Sequence, residues 1–302
     1  MDRQPVALNR PPWLGPWFRG NRGRLDPRLY QLAFQAMLLA TGVFLRDFSL
    51  RPAQMALAIA AAVSTQGLWL RVFKLSQVGY LSPTITGFGL SLLLRADNLW
   101  LHPLVAALAI SSKFLLRYRG KHVFNPANFG VGLALLALPG AWVSPGQWGN
   151  EVAIAVWVVA LGALVARRSR RDDAAWLFLA AFLGLAALRV VILGYPWERG
   201  WDILAHQATN GALLLFAFFM ISDPMTLPDH PRARAAHVLL VAFGAAAWQF
   251  LHYHPNGPLW ALLVAAPLVP LWDRFWPAAP YRWRPTPAKT QQIVTSTPGT
   301  LR

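Results

Sequence analysis

Ten apolar segments, separated by short basic blocks, constrain this chain more than any other feature. They run over Leu29–Leu45, Ala53–Leu70, Tyr80–Leu94, Trp100–Leu116, Phe124–Leu138, Val152–Ala166, Ala174–Leu193, Thr209–Ile221, Ala235–Leu251 and Leu259–Trp272. Only 13% of residues are charged, about half the share of a soluble domain, so the pattern predicts an all-α polytopic membrane protein. The third, fifth and eighth segments fall short of the ~20 residues a spanning helix needs. Each carries Gly or Pro near its start, as half-helices that meet near the bilayer midplane do.

The cations predict orientation. With the N-terminus inside, Arg46, Arg51, Arg95 and Arg199 fall in outer loops, Arg189 lies within the seventh segment, and all other Lys and Arg residues are cytoplasmic. This places both termini in the cytoplasm and favours an even number of crossings. The formal charge of +16 therefore reflects topology, not a nucleic-acid partner. The block Arg167–Arg171 anchors topology and offers a contact to anionic membrane lipid. Met1 to Arg28 is basic and lacks the apolar core of a signal peptide. The expected organisation is a basic segment over 1–28, a first half over 29–140, a second over 150–273 and a cytoplasmic tail over 274–302.

The halves resemble each other. Thr86-Gly87 leads into an apolar run, and Phe124-Asn125-Pro126 follows it. Thr209-Asn210-Gly211 does the same ahead of Tyr253-His254-Pro255-Asn256-Gly257. Two halves with five spans each must be inverted with respect to one another.

Candidate site residues come from these stretches. Asn125-Pro126 reads as a turn that starts a helix, with Pro at the first position. Asn125, Asn128 and Asn256 then sit beside helix starts whose free N–H groups can face a ligand. Thr86 and Gly87, with Thr209 and Asn210 as their counterparts, allow close approach either of a neighbouring helix or of a ligand. Lys113 is either a snorkelling lysine or a cation placed near a phosphate or an anionic ring. Asp223-Pro224 ends the eighth segment, and its acid can also orient a partner or take a proton. No catalytic residue is assigned, because no paired carboxylates stand out. There is no cysteine for a thiolate metal site, and the spacing of His252 and His254 demands no metal.

The ordered motifs resemble the NqrB/RnfD family, the membrane subunits of sodium-pumping NADH:quinone oxidoreductase and of the Rnf complex. Lys113 with Phe124-Asn125-Pro126-Ala127 is similar to one family signature. Asn210-Gly211-Ala212 with Ala217 to Pro224 resembles its "GAFFxATDP" segment, and His254 to Gly257 its "YPDG" turn. Ala266 to Asp273 is similar to its closing "APLID".

The resemblance implies ten helices in two inverted five-helix repeats, a fold shared with urea transporters. It also implies electron transport through flavin in the bacterial cytoplasmic (inner) membrane. Family members attach FMN to a threonine in the loop after the fifth helix, in a pattern like Asp-x-x-Ser/Thr-Gly-Ala-Thr. The loop from Leu138 to Glu151 has no threonine, so no covalent flavin is expected. The expectation is a noncovalent flavin (FMN or riboflavin) at the repeat interface, bound by Thr86, Gly87, Asn125, Asn128, Thr209, Asn210 and Asn256, with Lys113 and Asp223 in support. Other redox subunits would serve as donor and acceptor. A small-solute channel or transporter of the urea-transporter type is the alternative function, and a structural subunit without cofactor a third.

Overall fold

A computed structural model describes residues 26–44, 51–75, 79–144, 148–149 and 151–281. Two units are distinguished: Met1–Asp26 with Tyr281–Arg302, almost all of it outside the described residues, and Pro27–Pro280. The second unit carries every helix described below.

Its first half contains α1 (Pro27–Phe44), α2 (Pro52–Val72), α3 (Leu81–Leu93), α4 (Leu101–Leu115) and α5 (Pro126–Ala137). Short strands punctuate it: β1 (Leu94–Ala96), β2 (Arg117–Tyr118), β3 (Lys121–His122) and β4 (Ala141–Val143). The second half contains α6 (Val152–Arg168), α7 (Asp172–Ile192), α8 (Trp197–Ala208), α9 (Gly211–Phe219), α10 (Pro231–Ala246), α11 (Gly257–Ala265) and α12 (Val269–Phe275). Among the described residues three helical stretches are long and apolar enough to cross a membrane: Pro52–Val72, Asp172–Ile192 and Pro231–Leu251. α3 has 13 residues and α9 has 9. At about 1.5 Å per residue neither covers a ~30 Å hydrocarbon layer.

Helix starts follow local chemistry. Pro stands in the first turn of α2, α5 and α10, where a missing N–H costs nothing. Asn125 and Asn210 are the N-caps of α5 and α9, and their side-chain oxygens accept from the N–H groups of Asn128 (3.1 Å) and Leu213 (3.0 Å).

Packing in the two halves follows one scheme. In the first, α3 packs on α1, α2 and α5, and α4 packs on α2 and α5. In the second, α9 packs on α6, α7 and α11, and α10 packs on α7 and α11. The halves join through α1 against α6 and α5 against α11. Aromatic side chains fill the centre: Phe34 stacks on Phe219 across the halves at 4.9 Å, and Phe178 meets Phe216 at 4.9 Å.

The structure adds detail that the apolar pattern missed. α8 lies between the seventh and eighth apolar segments and is strongly amphipathic, with Trp197 and Trp201 exposed. It has no long apolar run, so a search for spans passes over it. The ninth segment ends in a π-helical turn, Ala247–Leu251. The tenth divides into α11, a 3₁₀ turn at Ala266–Leu268, and α12, where Pro267 and Pro270 interrupt regular backbone hydrogen bonding.

The β2–β3 hairpin, the starts of α7 and α10, and α12 meet in a polar network. Lys121 Nζ lies 3.0 Å from Asp229 and 2.9 Å from Asp273, and Arg234 pairs with Asp173 at 2.6 Å. At the opposite end β1 pairs with β4, and Gln54 donates to the Ala96 carbonyl at 2.9 Å.

Candidate functional site

A cavity of about 390 Å³ opens beside the starts of α9 and α11. Its walls come from the end of α3, the strand β4 with Trp148 beyond it, α7, the end of α8, the face of α9, and the turn between α10 and α11 with the start of α11. Among the described residues four side-chain amides line it, those of Gln207, Asn210, Gln249 and Asn256. Trp148, Phe182, Phe216 and Tyr253 supply aromatic surface, and among the described residues no Lys, Arg, Asp or Glu lines it. Uncharged amides within an apolar wall suit a flat, neutral ligand bearing carbonyl and N–H groups.

The local backbone explains this convergence. The π-helical turn inserts an extra residue ahead of α11, a distortion frequent at functional sites, and it carries Gln249. Tyr253 (φ 56°) and Asn256 (φ 63°) are both left-handed, a conformation that a non-glycine side chain adopts only when the surroundings impose it. Asn256 makes no side-chain cap to α11, unlike Asn125 and Asn210 at their helices. At the other wall the α9 N-terminus lies so close to Trp148 that a Cβ on Gly211 would stand 2.7 Å from the Trp148 Cβ.

The nine expected residues divide into three groups. Asn210 and Asn256 line the cavity. Thr209 directly precedes Asn210, but its hydroxyl donates to the Ala205 carbonyl at 2.8 Å.

Lys113, Asn125 and Asp223 belong to a second polar cluster. Lys113 Nζ donates to Gln66 Oε1 (2.9 Å) and Ser82 Oγ (3.0 Å). Asn125 Nδ2 donates to Asp223 Oδ2 at 3.1 Å, and Asp223 Oδ1 accepts from the Met225 N–H at 3.0 Å. Burial pushes the Asp223 carboxyl up, opposed by the Met225 N–H, the Asn125 amide and the Lys113 charge. His122, in the β2–β3 hairpin, is pushed down to about 3, first by burial and then by Lys113, Arg117 and Lys121.

The third group sits in helix contacts. The Thr86 hydroxyl donates to the Ser82 carbonyl at 3.2 Å. A Cβ on Gly87 would stand 2.8 Å from the Ile59 Cα, so this glycine serves the packing of α3 on α2. Asn128 donates to the Leu259 carbonyl at 3.2 Å and bridges α5 to α11. Its own Oδ1 is buried without a partner.

The structure therefore does not gather the nine residues around one ligand. Sequence reasoning also passed over Gln66, Gln207, Gln249 and Trp148. A readable signal existed for Gln66 alone, an amide in the middle of an apolar span. The others reach their places through the π-helical turn, α8 and the loop after β4. Among the described residues no group of three His, Asp or Glu side chains is arranged to hold a metal ion.

No curated protein matches the chain. Residues 141–282, which include β4, Trp148 and all of α6 to α12, match the NQR2, RnfD, RnfE family model, consistent with the NqrB/RnfD type that the motifs resemble.

Proposed function

We propose that this protein is an electron-transfer subunit of an Nqr- or Rnf-like membrane complex and holds a noncovalent flavin in the cavity between α9 and α11. The observation that carries the reading is the makeup of that cavity: four amides, aromatic walls and two helix starts. The loop after α5, where the resemblance puts the family's covalent flavin, contributes Val143, Ser144 and Trp148 to the same wall. A flavin, when bound, supplies electron transfer between partner subunits.

The chain's part is to bind and orient. Asn210, Gln207, Gln249 and Asn256 match the carbonyl and N–H edge of the ring, while Trp148 and Phe216 cover apolar surface. The starts of α9 and α11 favour negative charge near them. The recurring packing scheme of the two halves supports two five-helix repeats of inverted topology, as in urea transporters. The clustering of cations supports cytoplasmic termini in a bacterial inner membrane.

The test is purification in mild detergent followed by absorbance between about 350 and 500 nm, before and after acid. The expected result is a flavin spectrum whose chromophore separates from the protein on acidification. Loss of about five- to tenfold in affinity for added flavin is expected for Asn210→Leu, since a hydrogen bond worth about 1–1.5 kcal/mol is removed. If no flavin binds, even when FMN or riboflavin is added, the redox reading fails, and solute flux in proteoliposomes tests the channel alternative.

A further inference from the structure

The sequence of α8 is two-sided. Trp197, Trp201, Leu204 and Ala208 recur at i, i+4, i+7 and i+11 and share one face. Glu198, Asp202 and His206 lie on the other, with Arg199 beside them, and all four are exposed. Gly200 alone in α8 is buried. A Cβ there would stand 2.7 Å from Val190 Cγ1, so this glycine seats α8 against the last turns of α7. The two tryptophans of the apolar face stay uncovered. Trp197 is 77% and Trp201 59% exposed, and their rings stack on one another at 6.1 Å.

Two observations bear on what covers them. The first is depth. α7 has 21 residues, which at about 1.5 Å each matches a ~30 Å hydrocarbon layer. It begins at the Arg171–Asp229 and Asp173–Arg234 contacts, so its last turn reaches the opposite edge of that layer. α8 follows after only four residues. The second is continuity. Leu188, Val191, Ile192 and Leu193, where this span ends, are exposed apolar side chains, and the tryptophans extend that surface beyond the span. An indole joins an apolar ring to one N–H donor, which suits the boundary between acyl chains and headgroups.

We propose that α8 is a membrane-surface helix. Its tryptophan face is seated among headgroups and upper acyl chains, at the bilayer surface opposite the Lys121 network, and its charged face is in water. The partner is the lipid layer itself. Glu198 and Asp202 outnumber Arg199, so the rings hold α8 there and attraction to anionic lipid does not. Gln207, on the same helix, lines the cavity, so a helix held by lipid forms one wall of that site. The inference stands whether or not the cavity holds flavin.

The chain has no cysteine, so one introduced thiol can be labelled alone. Full-length Trp201→Cys, Trp197→Cys and Asp202→Cys proteins, each carrying the fluorophore NBD, are reconstituted in phosphatidylcholine vesicles. Val191→Cys, on the exposed side of α7, is the reference in lipid. Quenching is read with iodide in the water and with phosphatidylcholine bearing a nitroxide just below its headgroup. At Trp201 and Trp197 the nitroxide lipid should quench as strongly as at Val191 and iodide should quench little; at Asp202 the order should reverse. The pattern should persist when phosphatidylglycerol is mixed in. Iodide quenching at Trp201 equal to that at Asp202 overturns the proposal, because the rings then stand in water. Quenching by neither agent overturns it too, because protein then covers the face. Lipid quenching that appears only with phosphatidylglycerol, or that is as strong at Asp202 as at Trp201, also rejects it. A Val191 label beyond reach of the nitroxide removes the depth argument and the proposal with it. If Trp201→Cys fails to fold, Trp197→Cys decides by the same outcomes.

Discussion

The Asn125 side-chain amide donates to the Asp223 carboxylate at 3.1 Å, across 98 residues of sequence. The same side chain caps α5 through the Asn128 N–H. One residue thus starts a helix of the first half and satisfies a buried acid that follows α9 in the second. Asn125→Ala removes the cap, worth about 1 kcal/mol, and leaves the carboxylate short of a donor at about 1–3 kcal/mol. Thermal unfolding in detergent should show a combined loss of about 2–4 kcal/mol. Asn125→Asp should keep the cap and set two acids against each other, which a rise in stability on mild acidification would reveal.

Asn256 separates backbone demand from ligand demand. Its left-handed conformation suits glycine at least as well as asparagine, and its side chain makes no cap. Asn256→Gly should therefore change stability by less than about 1 kcal/mol. Flavin affinity should fall about tenfold with loss of the amide. A variant that melts normally and binds flavin normally would remove Asn256 from the site.

Lys121 holds two acids from distant parts of the second half. Its ammonium contacts Asp229 and Asp273, and Asp273 also accepts from the Asp229 N–H at 2.9 Å. Lys121→Met leaves Asp229 with Arg171 at 3.9 Å but takes the ammonium from Asp273, and breaking such a part-buried pair from one side costs up to about 3 kcal/mol. Chemical denaturation should show that loss near neutral pH and a smaller one in acid, where the carboxylates take up protons.

His122 gives a pH dependence of definite sign. Its folded pKa of about 3 lies below the ordinary histidine value of 6.5, so between those values the unfolded chain binds the additional proton. Its contribution is fully present above pH 6.5 and is lost as pH falls toward 3, at up to about 1.4 kcal/mol per pH unit. His122→Asn should flatten the stability profile between about pH 6 and 4 by that slope. An unchanged slope would show that His122 does not titrate in this way.

Gly87 tests whether the middle of α3 packs against a ligand or against a helix. A methyl group there meets the Ile59 backbone, which cannot move aside as a flexible side chain does. Gly87→Ala should cost about 1–3 kcal/mol by overpacking and leave flavin affinity unchanged in the protein that still folds.

The legible part of this protein was local. The lengths of the apolar segments and the Asn-Pro and Asn-Gly helix starts are short-range properties, and the helices α2, α5, α7 and α9 follow them. Composition and motif order likewise pointed to the membrane and to the family that residues 141–282 match. What needed tertiary structure was the division of the candidate residues. Thr86, Gly87 and Asn128 sit at apolar helix segments much as Asn210 and Asn256 do, yet the Thr86 hydroxyl, the bare Gly87 backbone and the Asn128 Nδ2 are engaged with Ser82, Ile59 and Leu259. Gln249 enters the site because it stands in a π-helical turn between α10 and α11. The sequence by itself determined which segments are apolar and where helices begin, because burial and capping act within a few residues. Only the tertiary structure decided which polar groups remain available to a ligand, because that depends on partners a hundred residues away.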